Sequence, residues 1–445
     1  MTLVRGRAAR YARRCFFLES DSVTAIDPRP FLVSLFDTAV IAADPLAAIR
    51  AHLPPPPKGR TVVIGAGKAA SQMAAAFEAC WDGPFEGVVV ARHGPVEPCD
   101  RIRVLQSAHP VPDAAGLEGS RALLALVEGL TEDDLVIALI SGGGSSLLPA
   151  PPAGLTLEDE IAVNRALLAS GAPISAMNVV RKHVSRIKGG RLAFAAAPAR
   201  VVSLIVSDVP GDNPAFVASG PTIPDFSTAE DALKIIVEYG MQLPDAVMVH
   251  IRSEVSAAPT ADHPAFAGNE VHIIASARVS LEAAAVRAEE AGIAAVILSD
   301  AIEGEARDIG RMHAALAREV AARNRPFPKP VVILSGGETT VTITGGRYGK
   351  GGRNSEFLLS LALDIEGESG IFALAADTDG IDGSENNAGA FADGETTARM
   401  RAAGGDPRAF LAGHDAWSAF ASAGDLFVPG PTGTNVNDFR AILVV

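Results

Sequence analysis

The sequence reads as an α/β protein of two domains, and three observations support that reading. Short runs of Val, Ile and Leu recur at 61–64, 87–90, 135–140, 201–206, 271–275, 294–298, 331–334 and 371–375, as buried strands do. Between many of them lie Ala- and Leu-rich segments at helical spacing, such as Ala69, Ala70, Met73, Ala74, Phe77 and Trp81. That alternation predicts a mostly parallel sheet covered by helices. The chain has 445 residues, too many for one core of ordinary size.

Taken from the start, Arg5, Arg7, Arg10, Arg13 and Arg14 precede an apolar stretch, 15–18, that is too short for the core of a signal peptide. Residues 1–27 are expected to form a disordered basic tail. An amphipathic helix is expected over 30–52, and Pro54 to Pro57 read as a rigid spacer before the first strand. Pro259, Pro264 and Gly268 interrupt the pattern before the strand at 271, which places a domain break at 265/266. The domains are then 28–265 and 266–445.

A formal charge of -14 argues against a nucleic-acid surface, so an anionic substrate must meet a local reversal of sign. No apolar run reaches the roughly 20 residues of a membrane-spanning helix. Cys15, Cys80 and Cys99 are odd in number and lack metal-site spacing, which fits a reducing cytoplasm rather than a disulfide or zinc framework. Apolar surface left on the helices would allow a homodimer.

In open parallel sheets ligands bind beyond the carboxyl ends of the strands, and the residues there are strongly biased. Gly65-Ala66-Gly67-Lys68 follows the first strand and opens a helix, matching a dinucleotide fingerprint. The acidic ribose contact is missing, with Arg92 and His93 in its place, which leaves an NADPH-dependent reductase open. Lys68 at the mouth of that turn is placed to hold a phosphate or carboxylate. Ser141-Gly142-Gly143-Gly144-Ser145-Ser146 follows a buried strand at a cost in local stability, which suggests backbone meeting ligand; it lacks the Gly-Lys-Ser/Thr ending of a P-loop. The run Gly345 to Glu356 carries three cations and five glycines, a cradle for an anion that includes Gly351, Gly352 and Arg353.

Arg181, Lys182, His183, Arg186, Lys188 and Arg191 form a basic run ending at Gly189-Gly190; it is either a solvated face or an anion site built on Arg181, Lys182 and Lys188. His109 is either a base or substrate contact or a structural histidine beside Pro110. Asp208 and Asp212 follow a strand where carboxylates hold Mg²⁺, accept a hydroxyl proton, or simply make a turn. Asp377 and Asp379 fit a Mg²⁺ or substrate-hydroxyl site shared with Glu338 of Ser335-Gly336-Gly337-Glu338.

Together these segments resemble the glycerate 2-kinase family with a C-terminal MOFRL domain, whose members were often labelled hydroxypyruvate reductases. The resemblance spans most of the chain and adds Lys188-Gly-Gly-Arg191, Gly351-Gly-Arg-Asn354, Asp377-Thr-Asp-Gly-Ile-Asp-Gly383 and Gly433-Thr-Asn435-Val-Asn-Asp438 to the motifs above. It implies phosphorylation of D-glycerate at its 2-hydroxyl by ATP with Mg²⁺, in a cleft between an N-terminal Rossmann-like domain and the MOFRL domain. Lys68 and Arg353 fall on the family's catalytic cations, with Asp208 or Asp379 orienting Mg²⁺ or taking the proton. On this reading Arg353→Ala lowers kcat far more than thermal stability. The alternative is an NAD(P)H-dependent hydroxypyruvate reductase.

Overall fold

The structure is a computed structural model that describes residues 26–343 and 348–445. Nearly all of the expected basic tail, Cys15 with it, and Gly345, Gly346 and Arg347 of the glycine-rich run lie outside the described residues.

The first sheet contains β1 (Thr61–Ala66), β2 (Glu86–Arg92), β3 (Ile102–Ser107), β4 (Leu135–Ser141), β5 (Arg200–Val206) and β6 (Glu270–Ala275), in the order β3-β2-β1-β4-β5-β6. All five pairings are parallel. β1 and β4 are buried at every residue, so they show no alternation, as a sheet covered on both faces requires. The strand order reverses between β1 and β4. The carboxyl ends of β1, β4 and β5 therefore open side by side into one crevice, carrying Lys68, 141–146 and Asp208.

The second sheet contains β7 (Ala294–Ser299), β9 (Val331–Gly337), β11 (Ile371–Asp377), β12 (Gly389–Asp393), β13 (Leu426–Phe427) and β14 (Asp438–Val444), ordered β13-β12-β11-β14-β9-β7. A short parallel pair joins β8 (Gly304–Glu305) to β10 (Thr339–Thr340). Here the expectation of mostly parallel pairing fails: only β7 and β9 run parallel, and β14 runs antiparallel to both β9 and β11. β14 starts where those two strands end, with Asp438 in register with Gly337 and with Asp377. That register gathers carboxylates at one edge of the sheet.

The expected break at 265/266 falls one strand early, because β6 completes the first sheet beside β5. The expected helix over 30–52 is two helices, Pro28–Ala42 and Pro45–His52. Pro45 has no N–H to continue a helix, and the Asp44 side chain instead caps the second one through Leu46 N at 2.9 Å. The first helix packs on the second domain, where Phe31, Leu35 and Phe36 join Leu281, Val332 and Phe439 in one core. The second packs on the first domain through Ile49 and Val63. No single described helix is long and apolar enough to cross a membrane.

Candidate active site

Lys68 lies just past β1, its backbone N–H donating to Gly142 O at 2.8 Å, while Ala69 N donates to Ser141 Oγ at 3.0 Å. These bonds fasten the turn after β1 to the loop after β4. Lys68 Nζ stands 4.0 Å from Asp208 Oδ2. A Cβ on Gly142 would fall inside the Asp208 carboxylate, and Gly143, at φ 78°, faces Lys68 and His109. The glycines thus let protein groups converge, rather than only admitting ligand backbone contacts. Gly65 and Gly67 are likewise pressed against Leu139 and Ser141, and Gly144 against Ala218. The fingerprint-like glycines are accounted for by the packing of β1 on β4.

Lys68, His109, Gly143, Ser145, Ser146, Arg181 and Asp208 line one cavity of about 320 Å³, closed from the second domain by Glu303 and Glu338. Arg181, on the helix Ile174–His183, donates from Nη2 to Asn164 Oδ1 at 3.0 Å and forms no ion pair among the described residues. Asn164 also donates to Pro110 O at 3.0 Å, and Asn178 takes the Ser219 hydroxyl at 2.8 Å, which in turn meets Ser145 Oγ at 2.8 Å. Burial holds the Asp208 carboxyl above its ordinary range; Lys68 opposes that and Glu338 adds to it. His109 is held low, by burial first and then by Lys68 and Arg92. A neutral imidazole, a lysine and an arginine without a counterion suit a small anion with a hydroxyl to deprotonate.

Beyond Glu338 a second cavity of about 460 Å³ runs along Thr339, Tyr348, Gly351, Gly352, Arg353, Asp377 and Asp382. Arg353 opens the helix Arg353–Asp364, whose free N–H groups at Asn354 and Ser355 are capped by Asp382 at 2.9 and 2.8 Å. Its guanidinium donates to Asp438 Oδ1 at 2.6 Å, Asp377 Oδ2 at 2.7 Å and Glu338 Oε1 at 2.9 Å. Burial disfavours its charge, but these carboxylates outweigh that and hold it fully protonated. Asp377 is pushed up by burial and by Asp379 and Asp438, against the pull of Arg353. Asp438, itself fully buried, also pairs with Arg440 and accepts from Asn354 Nδ2 at 2.8 Å. Gly336 and Gly337 sit at the end of β9, behind Glu338.

Several expected residues do not reach the cleft as ligands. Lys182 pairs with Asp225 at 3.1 Å and Lys188 with Glu160 at 2.7 Å, both deeply buried, so of the three expected cations of the basic run only Arg181 lines the cavity beside Lys68. Asp212 is committed to Ser276 Oγ at 2.7 Å and Arg278 Nε at 3.3 Å. Asp379 Oδ1 accepts from Ile381 N at 2.8 Å, and Oδ2 lies 3.4 Å from Asn435 Nδ2. No group of three or more His, Cys, Asp or Glu among the described residues is arranged to hold a metal. The residues not anticipated are Asn164, Asn178 and Glu303, and Asn437, whose Nδ2 donates to Asp208 O at 3.0 Å across the domains. Asn178 and Arg181 share a helix face at i,i+3, the one sequence signal that could have flagged the first.

Residues 31–252 match a family described as a domain of unknown function, DUF4147, and residues 331–438 match the MOFRL family. The chain is 51% identical over 420 residues to an Agrobacterium vitis protein provisionally named a hydroxypyruvate reductase, covering 94% of this chain and 95% of that one. It is 40% identical over 415 residues to the D-glycerate 2-kinase of Thermotoga maritima, covering 93% and 97%. The crystal structure of a glycerate kinase from Thermotoga maritima aligns with a TM-score of 0.86 at 39% identity, covering 94% of this chain and 99% of that chain.

Proposed function

The chain belongs to the two-domain family that joins DUF4147 to MOFRL and contains the glycerate kinases, and on that premise we propose that it is a D-glycerate 2-kinase. The observation that carries the reading is Arg181: a guanidinium with no ion-pair partner among the described residues, sharing a cavity of about 320 Å³ with Lys68 and Asp208. Its fork matches a carboxylate, while Asn164 and Asn178 fix its plane.

With the glycerate carboxylate on Arg181, the 2-hydroxyl passes its proton to Asp208 as its oxygen bonds to the γ-phosphorus of ATP. The bond from that phosphorus to the β,γ-bridging oxygen breaks and ADP leaves. Lys68 offsets the charge on the transferring group, since such reactions depend on positioning and neutralisation more than covalent chemistry. The nucleotide reaches this point along Gly351 and Gly352. Arg353 acts by fixing Glu338 at the junction of the two cavities.

Mg²⁺ typically takes one or two protein carboxylates and completes its shell with phosphate and water oxygens. Glu338 fits: only Oε1 is engaged, by Arg353, and its side chain is about half exposed. It would hold an ion that neutralises the phosphates. Asp212 does not fit, being tied to Ser276 and Arg278. A reducing cytoplasm suits the free Cys80 and Cys99, the latter pushed up to about 11 by burial and by Glu78, Asp100 and Glu97.

The test is glycerate-dependent ADP release from Mg-ATP with the product coupled directly to enolase, alongside hydroxypyruvate with NADPH. Immediate enolase turnover is the expected result. NADPH oxidation without ADP release would overturn it.

A further inference from the structure

A cavity of about 520 Å³ opens on the first domain away from the cleft, and its wall is basic on one side and apolar on the other. Arg186, Arg191, His250 and His263 supply the polar side, while Phe194 and Val255 contribute to the apolar one; no acidic side chain lines it among the described residues. In a chain of net charge -14 that is a local inversion of sign.

Neither arginine takes part in an ion pair among the described residues. Arg191 is held in place by main-chain oxygens, donating to Lys182 O at 2.9 Å, Lys188 O at 3.1 Å and Ser256 O at 2.7 Å; the opposing charge that acts on it, Asp225, is already paired with Lys182. Arg186 is exposed. His263 Nδ1 accepts from Ala265 N at 3.1 Å, which leaves Nε2 as the ring's donor, and its ring meets Phe194 edge-on at 5.0 Å. His250 is held low by burial first and by the Arg191 cation second. Phe194 and Val255, 42% and 78% exposed, are large apolar side chains left bare beside these donors.

We propose that this cavity is a second ligand site, for an anion that carries a phosphate or carboxylate on an apolar or aromatic body. The acid group would lie against Arg186 and Arg191 and the body against Phe194 and Val255, an arrangement of few convergent polar groups on an apolar wall.

Phenyl phosphate has both parts and serves as the probe, titrated calorimetrically into the whole protein saturated with D-glycerate and a non-hydrolysable ATP analogue. Saturable one-to-one binding is expected, weakened at least tenfold in Arg186→Glu and again in Phe194→Ala, with glycerate turnover in the absence of probe unchanged in both. Inorganic phosphate, lacking the body, should bind more weakly than phenyl phosphate. The proposal is overturned by absent or non-saturable binding, by an affinity unchanged from the parent in both variants, or by inorganic phosphate binding as tightly as the probe.

Discussion

Glu338 accepts a hydrogen bond from Arg353 Nη1 at 2.9 Å and is the one residue among those described that lines both cavities of the cleft. The contact makes Arg353 a strut as well as a charge. Its other two bonds run to Asp438 and Asp377, and Asp438 has no exposure to water.

Arg353→Ala is therefore expected to cost stability as well as turnover, contrary to what the sequence alone suggested. Removing one partner of a buried ionic cluster leaves charges uncompensated, a loss of roughly 3–5 kcal/mol. Urea unfolding of the variant beside its kcat checks this. A variant as stable as the parent would return Arg353 to the role of a free catalytic cation.

Arg181→Ala should raise the KM for D-glycerate and leave the KM for ATP nearly unchanged. A charged hydrogen-bonded contact contributes roughly 1.5–3 kcal/mol, which corresponds to about a 10- to 150-fold rise. Arg181→Lys should restore little, since an ammonium cannot reproduce the planar fork. Initial rates over both substrates decide it.

Gly142→Ala places a methyl group where the Asp208 carboxylate stands and should cut kcat by about 10²-fold by displacing it. The double variant with Asp208→Asn should be no slower than Asp208→Asn alone. Additive losses in that cycle would mean that the glycine acts on something other than Asp208.

His313 is driven down to about 4 by burial, with Ile309 O opposing and the Arg440 cation adding; its Nε2 lies 3.0 Å from Ser335 Oγ. A depressed histidine contributes stability that is present above its ordinary value near 6.5 and is lost as pH falls toward 4. The loss attributable to this group is about 3 kcal/mol. Urea midpoints for the parent and His313→Gln, measured from pH 7 to pH 4, should converge as the pH drops. Parallel curves would remove His313 from the acid response.

The first domain was largely legible because β1, β4 and β5 are apolar runs ended by glycine and serine, and topology carries those ends to one crevice. β14 was not, since Asp438 and Arg440 break its apolar pattern; they form an ion pair inside the sheet, a compensation of charge invisible along the chain. Arg181, Lys182 and Lys188 look alike in sequence. Only folding reveals that Asp225 and Glu160 neutralise the lysines and leave the arginine without an ion-pair partner among the described residues.

The helix Pro28–Ala42 begins the described chain, yet its Phe31, Leu35 and Phe36 fill the core beneath β9, β11 and β14. No single cut in the gene can then yield both halves intact. A fragment starting after β6 would bare Phe427 and Phe439, and the complementary one would carry an orphan apolar helix.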